Sequence, residues 1–127
     1  MIINIPEIVA EVKEAFMLYE AALTSNDVDM IDTLFWNSDQ TLRYGPNGTL
    51  LGHAALSAFR HGRKTTGVDR ALKNTMITTF GTDFAVANTE SDKPNTAMTS
   101  RQSQTWVRMP DGWQIVAAHV SDEPEPV

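Results

Sequence analysis

Apolar side chains in the first part of the chain recur every three or four residues, which is the period of a helix. The pattern covers residues 5–24 and predicts one long amphipathic helix. Its apolar face is formed by Ile8, Val12, Ala15, Phe16, Tyr19 and Leu23. Asn4 followed by Glu7 resembles a capping box, and Pro6 fits only in a first helical turn, so we expect the helix to begin there.

Two shorter helices and a short strand are predicted next. Residues 25–27 offer a cap for a second helix that ends near Phe35, and a third helix is expected over Gly52–His61. The buried face of the third helix is predicted to carry Ala55, Leu56 and Phe59. Between the two helices, Thr41–Tyr44 has the pattern of a strand, and Thr49–Leu51 either pairs back on it or runs on.

After residue 70 the period changes to about two. Segments rich in Thr, Val, Ile and aromatic residues predict strands over residues 71–80, 84–90, 99–109 and 113–121. Met109–Gly112 is typical of a hairpin turn between the last two strands. Helices followed by long strands predict an α+β domain. Three helices packed on one curved, mostly antiparallel sheet would leave a cavity between the two layers.

Composition and length describe one globular domain. The chain has 127 residues, of which 42 % are hydrophobic and 20 % charged. It has no cysteine, which excludes disulfides and thiolate chemistry and fits a cytoplasmic location. No apolar run approaches the ~20 residues of a membrane span, and the N-terminus lacks the basic start of a secretory signal. We therefore expect a domain over residues 1–121, a flexible acidic tail over 122–127 and no membrane partner.

The charge is negative overall but locally positive. A net charge of −6 argues against nucleic-acid binding. Yet the segment Arg60–Lys73 holds five of the ten basic residues against one acid, Asp69. The segment is either a solvated loop or a positive rim that attracts small anions.

The C-terminal strands resemble a known superfamily. Residues 101–108 read RQSQTWVR and residues 111–121 read DGWQIVAAHVS, an ending similar to that of the nuclear-transport-factor-2-like (NTF2-like) superfamily, which includes SnoaL-like and ketosteroid-isomerase-like proteins. The resemblance implies the cone-shaped NTF2-like fold, with three N-terminal helices packed on a curved, mostly antiparallel sheet.

The N-terminal half resembles the AtzH-like family within that superfamily. The similarity is carried by Ile3–Val12, Leu18–Ala22, Leu34–Trp36, Leu42–Gly45, Gly52–His53, Phe59–Arg60 and Thr78–Gly81. It implies a small enzyme without a cofactor that removes carbon dioxide from an N-carboxylated urea, giving allophanate in cyanurate or ureide nitrogen catabolism. Two alternatives stay open: a module that binds small anions without catalysis, and an accessory subunit of an amidohydrolase in oxalurate breakdown.

Tyr19 and Arg43 are the candidate catalytic residues, since they occupy the positions of the tyrosine and arginine proposed to act in that family. From the residues alone, Tyr19 is equally a core tyrosine with a bonded hydroxyl. Arg43 is equally an outward-facing strand residue or half of an ion pair. A guanidinium binds a carboxylate through two parallel hydrogen bonds, and a phenol can supply the proton that the departing carbon dioxide requires.

Four further residues are candidates for substrate binding: Arg60, Arg101, Gln104 and His119. Arg60 either reaches the cavity mouth or complements the negative end of its helix. Arg101 and Gln104 lie on opposite faces of one predicted strand, and the sequence leaves open which face is concave. The three histidines show no ligand spacing with acids, so no metal site is expected. A sheet covered on one face predicts a homodimer.

Overall fold

The computed structural model describes residues 1–63 and 70–124. Three helices and six strands follow one another in the order that the sequence predicts. The helices are α1 Pro6–Ser25, α2 Val28–Leu34 and α3 His53–Gly62. The strands are β1 Leu42–Gly45, β2 Gly48–Leu51, β3 Leu72–Phe80, β4 Phe84–Asp92, β5 Thr99–Met109 and β6 Gly112–Glu123.

All six strands form one sheet in the order β2-β1-β6-β5-β4-β3. The β1–β6 pair is parallel, and the other four pairs are antiparallel. The register shifts between Lys73 and Met76 in β3, and between Thr105 and Trp106 in β5. Such irregularities bend strands and increase their twist, which curves the sheet around the helices. The predicted α+β cone is confirmed.

The core lies between the helices and the concave face of the sheet. The predicted face of α1 is buried at Ile8, Val12, Phe16, Tyr19 and Leu23. The sheet meets it with Trp106, Trp113 and Ile115, and with the small residues Ala85, Ala87 and Ala118. Because the alanines fill little volume, the layers need not close completely along their whole length.

The start of α1 differs from the prediction. The N-cap is Ile5, and no side chain caps the helix. Asn4 instead has a left-handed backbone (φ 58°) and binds the edge strand β3. Its side-chain oxygen accepts a hydrogen bond from the Thr79 amide at 2.9 Å, and its own amide donates to the Thr79 carbonyl. The predicted capping box is therefore wrong, because an unpaired sheet edge offered Asn4 a stronger set of partners.

The cap of α2 follows the prediction, and the structure decides how Thr49–Leu51 pairs. The Asp27 carboxylate accepts a hydrogen bond from the Met30 amide at 3.2 Å and caps α2, as predicted. Thr49–Leu51 pairs back on β1 within β2.

The last strand is longer than predicted. Asp122 and Glu123 belong to β6 and pair with Ser100 and Thr99, so the flexible tail does not begin at residue 122. The Asp122 carboxylate accepts a hydrogen bond from Lys93 at 2.7 Å, which ties this end to the β4–β5 connection. Residues 125–127 lie outside the described part of the chain. Within that part, no helix combines the length and apolar character needed to cross a membrane.

Candidate functional site

A cavity of about 600 Å³ opens where the β1–β2 turn, the end of α3 and the β4–β5 connection meet. Its wall carries four basic side chains: Arg43, Arg63, Arg70 and Lys93. The Ser91 and Ser100 side chains and the apolar side chains of Leu50, Phe59 and Val120 complete much of the remaining wall. A cavity of this size suits a small polar molecule.

Arg43 reaches this cavity from the concave face of β1. It pairs across β1 and β6 with Ala118, a buried residue of the concave face, so its side chain lies on the side of the helices. Burial lowers the pKa of its guanidinium below its ordinary value, and nearby Arg60 lowers it further. The Tyr19 phenol raises this pKa, and Arg63 lowers it. An arginine so placed is still charged at neutral pH.

Three guanidinium groups surround the ring of Phe59. Their central carbons lie 5.9 Å (Arg43), 5.7 Å (Arg60) and 5.6 Å (Arg63) from the ring centroid. Each is within the range of a cation–π contact. Phe59 is 37 % exposed at the cavity, so its predicted place on the buried face of α3 is wrong. We call these three arginines the arginine cluster.

The arginine cluster has no internal counter-charge. Within residues 1–63 and 70–124, none of its guanidiniums forms an ion pair, and the Nε atoms of Arg43 and Arg60 are buried without a hydrogen-bond acceptor. The neighbouring charges cancel in pairs, namely Arg70 with Glu20, Lys93 with Asp122 and Lys73 with Asp92. Asp92 and Asp122 also line the cavity, but each pairs with a lysine, so among the described lining residues Arg43 and Arg63 keep an uncompensated positive charge that favours an anion.

Tyr19 lies behind the cluster in the core. It is 1 % exposed, and its ring meets the Phe35 ring edge to face with centroids 5.8 Å apart. Its hydroxyl forms no hydrogen bond with another described residue. The phenol is close enough to Arg43 to act on its charge.

Gln104 lies in the same row of the concave face. The residues Gln104, Ala118 and Arg43 are register neighbours across β5, β6 and β1. The side-chain oxygen of Gln104 accepts a hydrogen bond from the Trp106 indole at 2.8 Å, which turns the amide nitrogen away from Trp106. That nitrogen is buried without an acceptor in the described structure. Ala118 therefore lies between Arg43 and Gln104, two residues that each have a buried N–H donor without an acceptor.

The remaining candidates separate into two groups. Arg60 is 5 % exposed and contacts the Phe59 ring from behind the cavity wall, which it does not itself line. Arg101 and His119 are exposed on the convex face, where the His119 ring packs against Tyr44 with centroids 5.5 Å apart. They lie on the side of the sheet opposite the cavity. Lys64 and Asp69 of the basic segment lie outside the described residues.

A second group of polar side chains lies between α2 and α3. Asp29, Asp32 and His61 each offer one potential metal-ligand atom, and these atoms lie within 4.8 Å of one another. The spacing of the three residues in the sequence did not predict this cluster. Asp29 and His61 are exposed. Asp32 accepts a hydrogen bond from Ser57 at 2.8 Å, and this links the two helices.

Sequence reasoning did not single out Arg63 or the role of Phe59. A usable signal existed, because Phe59, Arg60 and Arg63 lie close together in the sequence at the end of the predicted third helix. Phe59, Arg60 and Arg63 could have been recognised as one cationic end of α3. The spacing of residues in the sequence did not predict that β1 places Arg43 beside the Phe59 ring.

Comparisons with known proteins agree with this fold. The AtzH-like family model matches residues 1–125. A protein of unknown function from Pectobacterium atrosepticum, of the DUF3225 family, is 50 % identical with a TM-score of 0.92, covering 95 % of this chain and 94 % of its own. A cystatin-like fold protein from Burkholderia xenovorans is 45 % identical with a TM-score of 0.93, covering 99 % of each chain.

More distant structures share the fold. An NTF2-like superfamily protein from Salmonella enterica is 26 % identical with a TM-score of 0.70, covering 95 % of this chain and 94 % of its own. A comparison with curated proteins gave no match.

Proposed function

Because the chain belongs to the AtzH-like family, we propose that it is a small enzyme that removes carbon dioxide from an N-carboxylated urea, such as 1,3-dicarboxyurea, and forms allophanate. The observation that carries the proposal is the arginine cluster, three guanidiniums around the Phe59 ring without a carboxylate partner in the described residues, two of which line the cavity. A substrate with two carboxylates supplies the missing negative charge.

Arg43 is proposed to bind the carboxylate next to the bond that breaks. Its planar guanidinium forms two parallel hydrogen bonds with one carboxylate and so fixes the plane of the group as well as its position. Arg60 and Arg63 lie around the same ring and attract the second carboxylate. In a cavity partly shielded from water, these interactions are stronger than in bulk solvent.

Tyr19 is proposed to supply the proton. The bond between nitrogen and the carboxyl carbon breaks, carbon dioxide leaves, and the electron pair of that bond goes to nitrogen. The Tyr19 hydroxyl protonates this nitrogen to give an N–H bond, and water returns a proton to the phenolate. The positive charge of Arg43 nearby stabilises the phenolate in the interval. This reaction leaves its electrons on nitrogen and needs no cofactor or metal as an electron sink.

Gln104 is proposed to orient the urea carbonyl. Its amide N–H is a buried donor without an acceptor, and it faces the row that contains Ala118 and Arg43. A buried donor costs about 1–3 kcal/mol when it is unsatisfied. A substrate carbonyl oxygen would satisfy this donor while Arg43 holds the adjacent carboxylate.

The deciding experiment measures carbon dioxide release from freshly generated 1,3-dicarboxyurea with and without the protein. A parallel titration uses glutarate, a stable dicarboxylate with the same separation between its carboxyl carbons. We expect faster release, and inhibition by glutarate. Glutarate binding without faster release would overturn the catalytic proposal and identify an anion-binding module. A protein active only with an added amidohydrolase would identify an accessory subunit.

We further propose that the chain forms a homodimer through the convex face of the sheet. The helices cover only the concave face, and the convex face exposes Tyr44, Met76 and Phe84. Apolar groups grouped on one uncovered face favour association. Sedimentation at micromolar concentration should give twice the mass of the 14.1 kDa chain. A monomer under these conditions would contradict this proposal.

A further inference from the structure

Gly45 lies directly beneath the guanidinium of Arg43. The two residues are separated by one position in β1, so they share the concave face of the strand. A Cβ atom built on Gly45 would lie 2.7 Å from Nη1 of Arg43 and 3.3 Å from its Cζ. Because 2.7 Å is well inside the usual separation of a carbon and a nitrogen that are not bonded, a side chain here would displace the guanidinium.

Nothing else in the described structure requires glycine at this position. Gly45 is not among the glycines with positive φ, so its backbone conformation is open to any residue. The three atoms nearest to the added Cβ all belong to the Arg43 guanidinium, and none belongs to the backbone of another segment. The closest neighbour of a side chain at position 45 is therefore the Arg43 guanidinium.

We propose that Gly45 is a positioning residue that seats the Arg43 guanidinium against β1, facing the ring of Phe59. This placement over Gly45 keeps the Arg43 guanidinium near Phe59 and Arg60, at the wall of the cavity. The inference rests on the proposed function for the role of Arg43 in carboxylate binding. A shift of about 1 Å in such a group can lower a rate ~10²-fold.

The test is Gly45→Ala, with Gly62→Ala as its matched control. Gly62 also lacks a positive φ, and a Cβ there meets nothing within 4 Å. We expect Gly45→Ala to fold normally, since alanine is favoured over glycine within a strand, and to weaken glutarate binding by ~10-fold or more. Gly62→Ala should bind glutarate as the unsubstituted protein does. Equal binding by both variants would overturn the proposal.

A double substitution separates positioning from a general structural role. Lysine at position 43 lacks the guanidinium nitrogens that collide with the new Cβ. If Gly45 acts through that group, Gly45→Ala should change glutarate affinity much less in an Arg43→Lys background than in the unsubstituted protein. A loss of the same size in both backgrounds would mean that Gly45 serves the strand rather than Arg43, and would overturn the proposal.

A third measurement is independent of the reaction. In a crystal structure of Gly45→Ala, the Arg43 guanidinium should have moved away from the Phe59 ring, while β1 keeps its pairing with β6. A guanidinium in its original place would overturn the proposal. If the unsubstituted protein neither binds glutarate nor releases carbon dioxide, the proposed function fails, and this structure still decides the role of Gly45.

Discussion

Two ends of the molecule, the one with the β5–β6 turn and the open one with the cavity, hold arginines in opposite circumstances. At the end with the turn, Arg108 pairs with Glu11 at 3.1 Å and with Asp83 at 3.2 Å, and its guanidinium stacks on the Trp113 ring. Glu11 also accepts a hydrogen bond from the Trp113 indole at 3.0 Å. At the open end, the arginine cluster surrounds Phe59 with a similar ring contact but without a carboxylate in the described structure.

Arg108 is thus neutralised by ion pairs within the fold, whereas the positive charge of the arginine cluster is left for a proposed ligand. Sixteen acidic residues were available to a chain with ten basic ones, so the cluster is not unpaired for want of acids. Half-buried cations that repel one another lower stability, and the fold tolerates them only if other interactions compensate. Arg108 thus holds structural elements together, whereas the cluster is the proposed binding site, and substitutions at the two ends should have different consequences.

The largest effect on turnover is expected from Tyr19→Phe. The change keeps the aromatic contact with Phe35 and removes only the hydroxyl, so the release of carbon dioxide should fall ~10²-fold or more while folding is unchanged. Steady-state assays and thermal melting check both parts. Tyr44→Phe on the convex face is the matched control and should be active. A less stable Tyr19→Phe protein with normal turnover would contradict the catalytic role.

The second largest effect on turnover is expected from Arg43→Lys. Lysine keeps the positive charge but loses the planar pair of donors, so kcat/KM should fall by ~10–10²-fold. The matched control is Arg101→Lys, which changes an exposed arginine on the other face of the sheet. Equal activity of the two variants would show that only the charge at position 43 matters, and would weaken the distinction between the two ends.

Arg108→Gln should lower stability and leave glutarate binding unchanged, the reverse of what we expect at the cavity. The change removes both ion pairs and the contact with Trp113, and should lower the free energy of unfolding by about 1–2 kcal/mol. Chemical denaturation measures this loss. Affinity for glutarate should stay the same, because the open end is untouched. A fall in affinity as large as that of Arg43→Lys would mean that the two ends are coupled.

The smallest effect is expected at the exposed pair of Lys73 and Asp92. A hydrogen bond from Lys73 to Asp92, 2.6 Å long, raises the pKa of the lysine above the ordinary 10.5. The pair therefore adds stability below pH 10.5, and this stability is lost as pH rises through the folded-state pKa. Melting temperatures of Lys73→Gln and the unsubstituted protein should converge at alkaline pH. A constant difference would exclude this linkage.

The sequence predicted the elements well because each has a clear period. The face of α1, the cap at Asp27 and the four long strands follow from local spacing alone. Alternation also predicted that Arg101 and Gln104 lie on opposite faces of β5, and the structure agrees. Which of the two faces is concave did not follow from the sequence, because it depends on where the helices pack against the sheet.

The cluster also depends on distant parts of the chain. Phe59 is exposed because α3 ends at the mouth of the cavity, where the sheet no longer covers its apolar face. Arg60 in α3 and Arg63 directly after it are neighbours in sequence, but Arg43 joins them through the pairing of β1 with the sheet. Tyr19 and Arg43 were identified by resemblance, and their roles stay predictions.

The parallel pairing of β1 with β6 has a consequence for the order of assembly. The hairpins of β3, β4, β5 and β6 join neighbouring segments and can form early, whereas β1 must wait for the last strand of the chain. During synthesis, β1 and α3 therefore emerge well before the strand that fixes Arg43 beside Arg60. We expect the arginines to come close enough to repel one another only at this final step, so that the arginine cluster is the last part of the molecule to form.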